Sequence, residues 1–157
     1  MVDTAWEVAA TVVDPEIPVL TIEDLGVLRD VREADGRVTV DLTPTYSGCP
    51  AIDAMRDDVR SALAGAGYRD VEVRMVLSPA WTTDWMTPEG KRKLREFGIA
   101  PPNAAASNGR TALRMAVKCP RCDSLDTVEI ARFGSTSCKA LYECRSCLEP
   151  FDFFKVL

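Results

Sequence analysis

Two Cys-x-x-Cys knuckles, Cys119-Pro120-Arg121-Cys122 and Cys144-Arg145-Ser146-Cys147, stand 21 residues apart near the end of a 157-residue chain. Thiolates at this spacing converge on one tetrahedral metal ion, because each short loop lets both of its sulfurs point the same way. The separation sits at the edge of the usual zinc-ribbon range, and both knuckles are intact. Iron can also occupy four thiolates, but rubredoxin-type sites favour glycine just after each knuckle, and Asp123 and Leu148 stand there instead. Zinc bound by Cys119, Cys122, Cys144 and Cys147 is therefore expected, with disulfides or unligated thiols as the alternative.

Two further cysteines lie outside this pattern. Cys49, in Thr45-Tyr46-Ser47-Gly48-Cys49-Pro50, precedes an amphipathic segment. The positive end of a helix dipole there would favour the thiolate that attacks electrophiles and binds metals. A small buried filler or an N-cap is the alternative. Asp14 and Glu16 flank a proline in a turn that could fold near Cys49, where two carboxylates would help a thiolate hold iron or a transient cluster; taken alone, the pair reads first as a solvated turn at a helix end. Cys138 is an extra thiol inside the ribbon, with Lys139 beside it to lower its pKa, although a four-sulfur site needs no fifth ligand.

The chain has no histidine. That excludes Ser-His-Asp and Cys-His catalysis, a histidine general base and a histidine-ligated di-iron centre. An enzyme using Cys49 as nucleophile would lack any recognisable base.

Hydrophobic residues make up 46% and charged residues 27%, a globular composition. Net charge is −5 and unevenly placed: residues 1–109 carry 11 basic and 18 acidic side chains, residues 110–157 carry 8 and 6. No basic excess exists for nucleic acid, and no apolar run is long enough to span a membrane. The acidic opening, Met1 to Glu7, lacks the basic residues and apolar stretch of a signal peptide, so a cytoplasmic location is expected. Thiols stay reduced there, which favours metal over disulfides.

The elements that must position these thiols can be read from periodicity. Thr4 to Val13 reads as a helix with Trp6, Ala9, Ala10 and Val13 on one face, capped by Asp3 or Thr4. Thr21 to Gly26 is a helical turn with Thr21 and Asp24 at capping-box spacing. Val27 to Arg32 and Arg37 to Thr43 flank Ala34-Asp35-Gly36, a hairpin signal. Helical spacing then runs from Ile52 through Met55, Val59 and Leu63 to Ala66, with Gly67 as C′ residue, and Val71 to Leu77 gives a third strand. The loop after it carries Trp81 and Trp85, which either anchor it or form a partner-docking surface. A basic helix (Lys91, Arg92, Lys93, Arg95) reads as a solvated face.

The expected architecture is α+β: residues 1–98 form a small sheet with helices packed on it, 99–112 a linker, and 113–157 an all-β ribbon. Ribbon strands are expected at Leu113 to Lys118, Asp126 to Ile130, Cys138 to Glu143 and Phe151 to Val156. So small a sheet leaves an exposed edge that a homodimer could use.

Asp14-Pro15-Glu16-Ile17-Pro18, Asp24-Leu25-Gly26-Val27 and the Thr45 to Pro50 segment resemble the iron–sulfur assembly-factor domain family. Ser78-Pro79-Ala80-Trp81-Thr82-Thr83-Asp84-Trp85, the 98–102 stretch and Phe133 to Lys139 narrow the resemblance, over essentially the whole chain, to the small D-type subunits encoded with bacterial phenylacetyl-CoA epoxidase. What the resemblance implies is a non-catalytic accessory role, with the oxygenase and reductase subunits as partners. Cys49, supported by Asp14 and Glu16, would handle iron or a cluster transiently, and the ribbon would be a structural or client-docking zinc site. A ribbon that merely bridges the complex is the alternative.

Overall fold

The computed structural model describes residues 4–102 and 117–155. The chain divides into two compact units, Met1–Gly90 and Lys91–Leu157.

In the first unit, helix α1 (Ala5–Ala10) opens on Thr4, whose hydroxyl accepts from Glu7 N–H while Glu7 reaches back to the Thr4 N–H. This reciprocal cap satisfies two donors that a helix start leaves orphaned. The same device opens α2 (Ile22–Leu25) with Thr21 and Asp24, and Gly26 closes it at φ +75°. Strands β1 (Leu28–Ala34) and β2 (Arg37–Leu42) pair antiparallel around Asp35 and Gly36, both at positive φ as a two-residue hairpin of this twist requires. Helix α3 (Ala51–Gly65) then crosses to β3 (Asp70–Met75), which lies parallel to β2, giving the order β1-β2-β3. Helices α1 and α3 touch each other, and they pack on β1 and β3 respectively.

The core follows the strand alternation. Val38, Val40 and Leu42 are fully buried, as are Val59 and Leu63 of α3. On α1 the buried face is Ala5 and Ala9, continued by Val12; Trp6 and Val13 are exposed. The helix ends at Ala10, too early for the expected Trp6–Val13 face, and the Trp6 indole N–H instead donates to Glu23 at 3.0 Å.

The second unit is a four-stranded sheet, β4-β7-β6-β5, built from β4 (Ile99–Ala100), β5 (Thr127–Ala131), β6 (Lys139–Cys144) and β7 (Pro150–Phe154). Helix α4 (Pro88–Glu96) crosses the division between the units. The expected linker 99–112 therefore needs correction at its start. Ile99 and Ala100 are buried and pair with Asp152 and Phe153, so they belong to the ribbon sheet. Residues 103–112 and the Leu113 to Ala116 part of the expected first ribbon strand lie outside the described residues, as does Val156; Val117 and Lys118 are not in a strand. The α+β domain with helices on a small sheet, followed by an all-β ribbon, is otherwise the architecture found. Among the described residues no helix is long and apolar enough to cross a membrane.

Candidate metal centre and thiol site

The first knuckle lies in the loop before β5, and the second links β6 to β7. Each turns through a residue in the left-handed region, Asp123 and Leu148, both at φ 65°. Glycine is the easy residue for that conformation, yet both knuckles adopt it with a β-carbon in place. Cross-knuckle bonds hold the two loops together: Ser124 and Ser146 hydroxyls meet at 2.7 Å, and Arg145 N–H donates to the Asp126 carbonyl. Asp123 in turn pairs with Arg95 and lies 3.8 Å from Lys118.

Four sulfurs about 2.3 Å from a tetrahedral zinc would lie about 3.8 Å apart. Here Cys119 and Cys147 are 3.8 Å apart, Cys122 and Cys144 3.5 Å, and all four sulfurs fall within 4.8 Å of one another. The donor set and its size suit a closed four-thiolate zinc site. Cys119 and Cys144 are fully buried in the small core formed with Ala100, Val117, Phe151 and Phe153, so the metal position is also the centre of the ribbon's packing. Its chemistry is poised for a cation. The Cys147 N–H at 3.5 Å, followed by that of Ser146, draws Cys144 down to about 6 from the ordinary 9.0. Cys122 moves the opposite way, to about 12: the Ser124 N–H lowers it, but the proton shared with Cys144, burial and the other two thiols together outweigh that contribution. One stable thiolate beside reluctant thiols is the state a divalent ion converts by displacing protons.

Cys138 stands apart from these four. It is buried, 3.0 Å from the Thr136 hydroxyl, and in no disulfide. Lys139 next to it is buried and pairs with Asp152 at 3.8 Å.

Cys49 sits directly before α3, 7% exposed, with Pro50 as an N-cap that offers no side-chain cap. Its N–H donates to Tyr46 O, and the Thr45 hydroxyl lies 3.9 Å from its sulfur. Asp14 is buried too, and its Oδ1 accepts the N–H groups of Glu16 and Ile17, both at 2.7 Å. That closed turn shapes the segment between α1 and α2. Among the described residues the ribbon cysteines are the only grouping of three or more potential ligands, so Asp14, Glu16 and Cys49 are not brought together as a ligand set.

The tryptophans divide. Trp81 is buried, and its indole N–H donates to Leu25 O at 2.8 Å. It anchors the loop. Trp85 is half-buried, with the Arg29 guanidinium 3.6 Å above its ring, and its backbone lies against Gly26. Sequence reasoning missed Thr43, a buried residue between β2 and the Cys49 loop whose hydroxyl has no hydrogen-bond partner among the described residues. Nothing in a strand-end threonine signals that. The serine pair that ties the knuckles together was equally silent.

Residues 103–155 match the family described as "PaaD zinc beta ribbon domain", and residues 3–75 match "Iron-sulfur cluster assembly protein". The chain is 49% identical over 152 residues to an Escherichia coli K12 protein, named as the putative D-type subunit of 1,2-phenylacetyl-CoA epoxidase, covering 97% of this chain and 91% of that one. An "Fe-S protein maturation auxiliary factor" of Porphyromonas gingivalis is 41% identical over 86 residues, or 54% of this chain and 81% of the relative. Among solved structures, a domain of unknown function (DUF59) from Bacillus anthracis superposes with a TM-score of 0.54 at 27% identity, covering 57% of this chain and 87% of that one.

Proposed function

Since this chain belongs to the family of D-type subunits of 1,2-phenylacetyl-CoA epoxidase, we propose that it is a non-catalytic accessory factor of that enzyme system, assisting iron or iron–sulfur cluster loading of the oxygenase or reductase subunits. The matches to an iron–sulfur cluster assembly protein and to a zinc ribbon, side by side in this chain, support that reading. The observation that carries the reading is a division of labour between thiols. Four are gathered at zinc spacing in the ribbon core, while among the described residues Cys49, at the head of α3, belongs to no group of three or more potential ligands. A cysteine outside such a group needs a client's ligands to complete an iron site, which suits a transient hand-over better than storage.

Asp14 supports this role indirectly. Its carboxylate is consumed in fixing the turn before α2, so it shapes the domain, and Glu16 is left as the half-exposed carboxylate of that turn. A second reading, a structural subunit whose ribbon bridges the complex, draws on exposed apolar side chains around the ribbon strands and knuckles, Leu125, Ile130, Phe133 and Leu148 among them.

Metal and acid-labile sulfide content of the anaerobically purified chain tests the division. About one zinc per chain with no resident iron is expected, from a site that four thiolates close. Cys144→Ser should lose that zinc and Cys49→Ser should keep it. Stoichiometric iron with labile sulfide in the chain alone would overturn the hand-over reading.

A further inference from the structure

The loop that carries Cys49 also walls a groove of about 240 Å³. Thr43, Thr45, Tyr46 and Ser47 line it, facing Leu77 and Trp81. The groove lies at one end of a parallel strand pair: Thr43 follows β2 directly, Leu77 comes two residues after β3, and the Val76 N–H donating to Leu42 O at 2.8 Å keeps the two segments together. Carboxyl ends of parallel strands are where open sheets of this kind leave room for ligands.

Three observations limit what can occupy it. The buried Thr43 hydroxyl has no partner among the described residues, and a group in that state gains most from an incoming acceptor. None of the lining residues is charged, and the unit spanning residues 1–90 holds 17 acidic against 7 basic side chains. A carboxylate or phosphate would lose its hydration, meet no cation and be repelled. Finally, Leu77 is 68% exposed beside the buried Trp81, an apolar wall with one open side chain. The volume is below the ~300–1,000 Å³ of sites for drug-sized molecules and suits about one residue of an extended peptide.

The geometry points to a peptide-binding groove: an uncharged, extended segment of a client protein seats an apolar side chain against Leu77 and Trp81, and a backbone carbonyl accepts the Thr43 hydroxyl. Thr45 links the groove to the thiol, since it lines the groove and its hydroxyl lies 3.9 Å from Cys49 Sγ. A segment held there would bring its own side chains next to the cysteine. This inference rests on the reading of Cys49 as the hand-over thiol, and it assigns that site a recognition element.

The test is an NMR titration of the full chain, carrying labelled threonine and leucine methyls, with N-acetyl-leucine-N-methylamide. N-acetyl-leucine, which is anionic at neutral pH, serves as the comparison. Saturable shifts at Thr43 and Leu77, at least about tenfold weaker binding of the anion, and a similar loss in Thr43→Val are expected, tenfold being the effect of about one lost hydrogen bond. Thr43→Val keeps the shape of the side chain and removes only the unpaired hydroxyl, so the variant should fold. Absence of saturable shifts at these methyls, equal binding by Thr43→Val, or preference for the anion would overturn the proposal. Cys49→Ser should bind the probe as the parent does. Probe binding together with normal client loading by that variant would sink the hand-over reading alone; a loading defect without probe binding would sink the groove alone.

Discussion

Among single residues, Cys144 shows most directly how the backbone prepares a metal ligand. Its thiol lies near 6 because the Cys147 and Ser146 N–H groups point at the sulfur, whereas Cys122 lies near 12. A lowered folded pKa means that the favourable contribution of the thiolate is complete above the ordinary 9.0, fades as pH falls, and is gone below about 6. Zinc affinity of the ribbon should therefore fall as pH drops through about 6, and a chelator competition that shows no loss there would contradict this. The four ligands were legible in the sequence because knuckle spacing is a local property. The left-handed turns at Asp123 and Leu148 were not, since neither residue advertises positive φ. Asp14 was legible as a turn residue and Cys49 as a helix-entry thiol. Whether distant carboxylates reach a thiol depends on tertiary packing, which spacing does not encode.

Among elements, the α2 turn and the tryptophan loop lock each other. A β-carbon on Gly26 would lie 2.5 Å from the Trp85 carbonyl oxygen, in a backbone already at φ +75°. Gly26→Ala should cost at least about 2 kcal/mol, combining left-handed strain with the clash; thermal denaturation showing an unchanged midpoint would refute this packing. The sheet carries its own ionic clamp, Asp41 held between Arg74 and Arg32 at 2.9 Å each. The hydrogen bond from Arg74, chiefly, holds the Asp41 carboxyl below its usual 3.8. The clamp is therefore fully present above about pH 4 and is lost as pH falls through the depressed value. Both arginines are half exposed, so the gain is screened to about 1 kcal/mol. Asp41→Asn should lose this at pH 7 yet approach the parent near pH 3 in urea denaturation; an equal deficit at both pH values would assign the loss to packing. At this scale the capping boxes, the hairpin and α3 were readable because each is a local pattern. The β4 strand was not: Ile99 and Ala100 precede two prolines and carry no alternation, and only β7 makes them a strand. The α1 face was misread because a six-residue helix is too short for periodicity to separate one face from another.

In the whole molecule, the chain joins an assembly domain to a metal ribbon, and each has a separate source of stability. The first unit buries a sheet under two helices; the small core described in the second centres on Cys119, Cys144 and the phenylalanines of β7, so zinc is expected to supply much of its folding free energy. The fold of both parts was legible in pattern and spacing. The groove beside Cys49 was not, because its walls come from strand ends more than thirty residues apart in sequence. The central claim is that this chain serves metal loading through Cys49. It is tested most directly by the iron and labile-sulfide content of the epoxidase oxygenase and reductase subunits, each purified after co-expression with the parent chain or with Cys49→Ser. The variant should retain its zinc while one of the two partners loses most of its iron. Partner iron and sulfide equal to those obtained with the parent chain would contradict the claim.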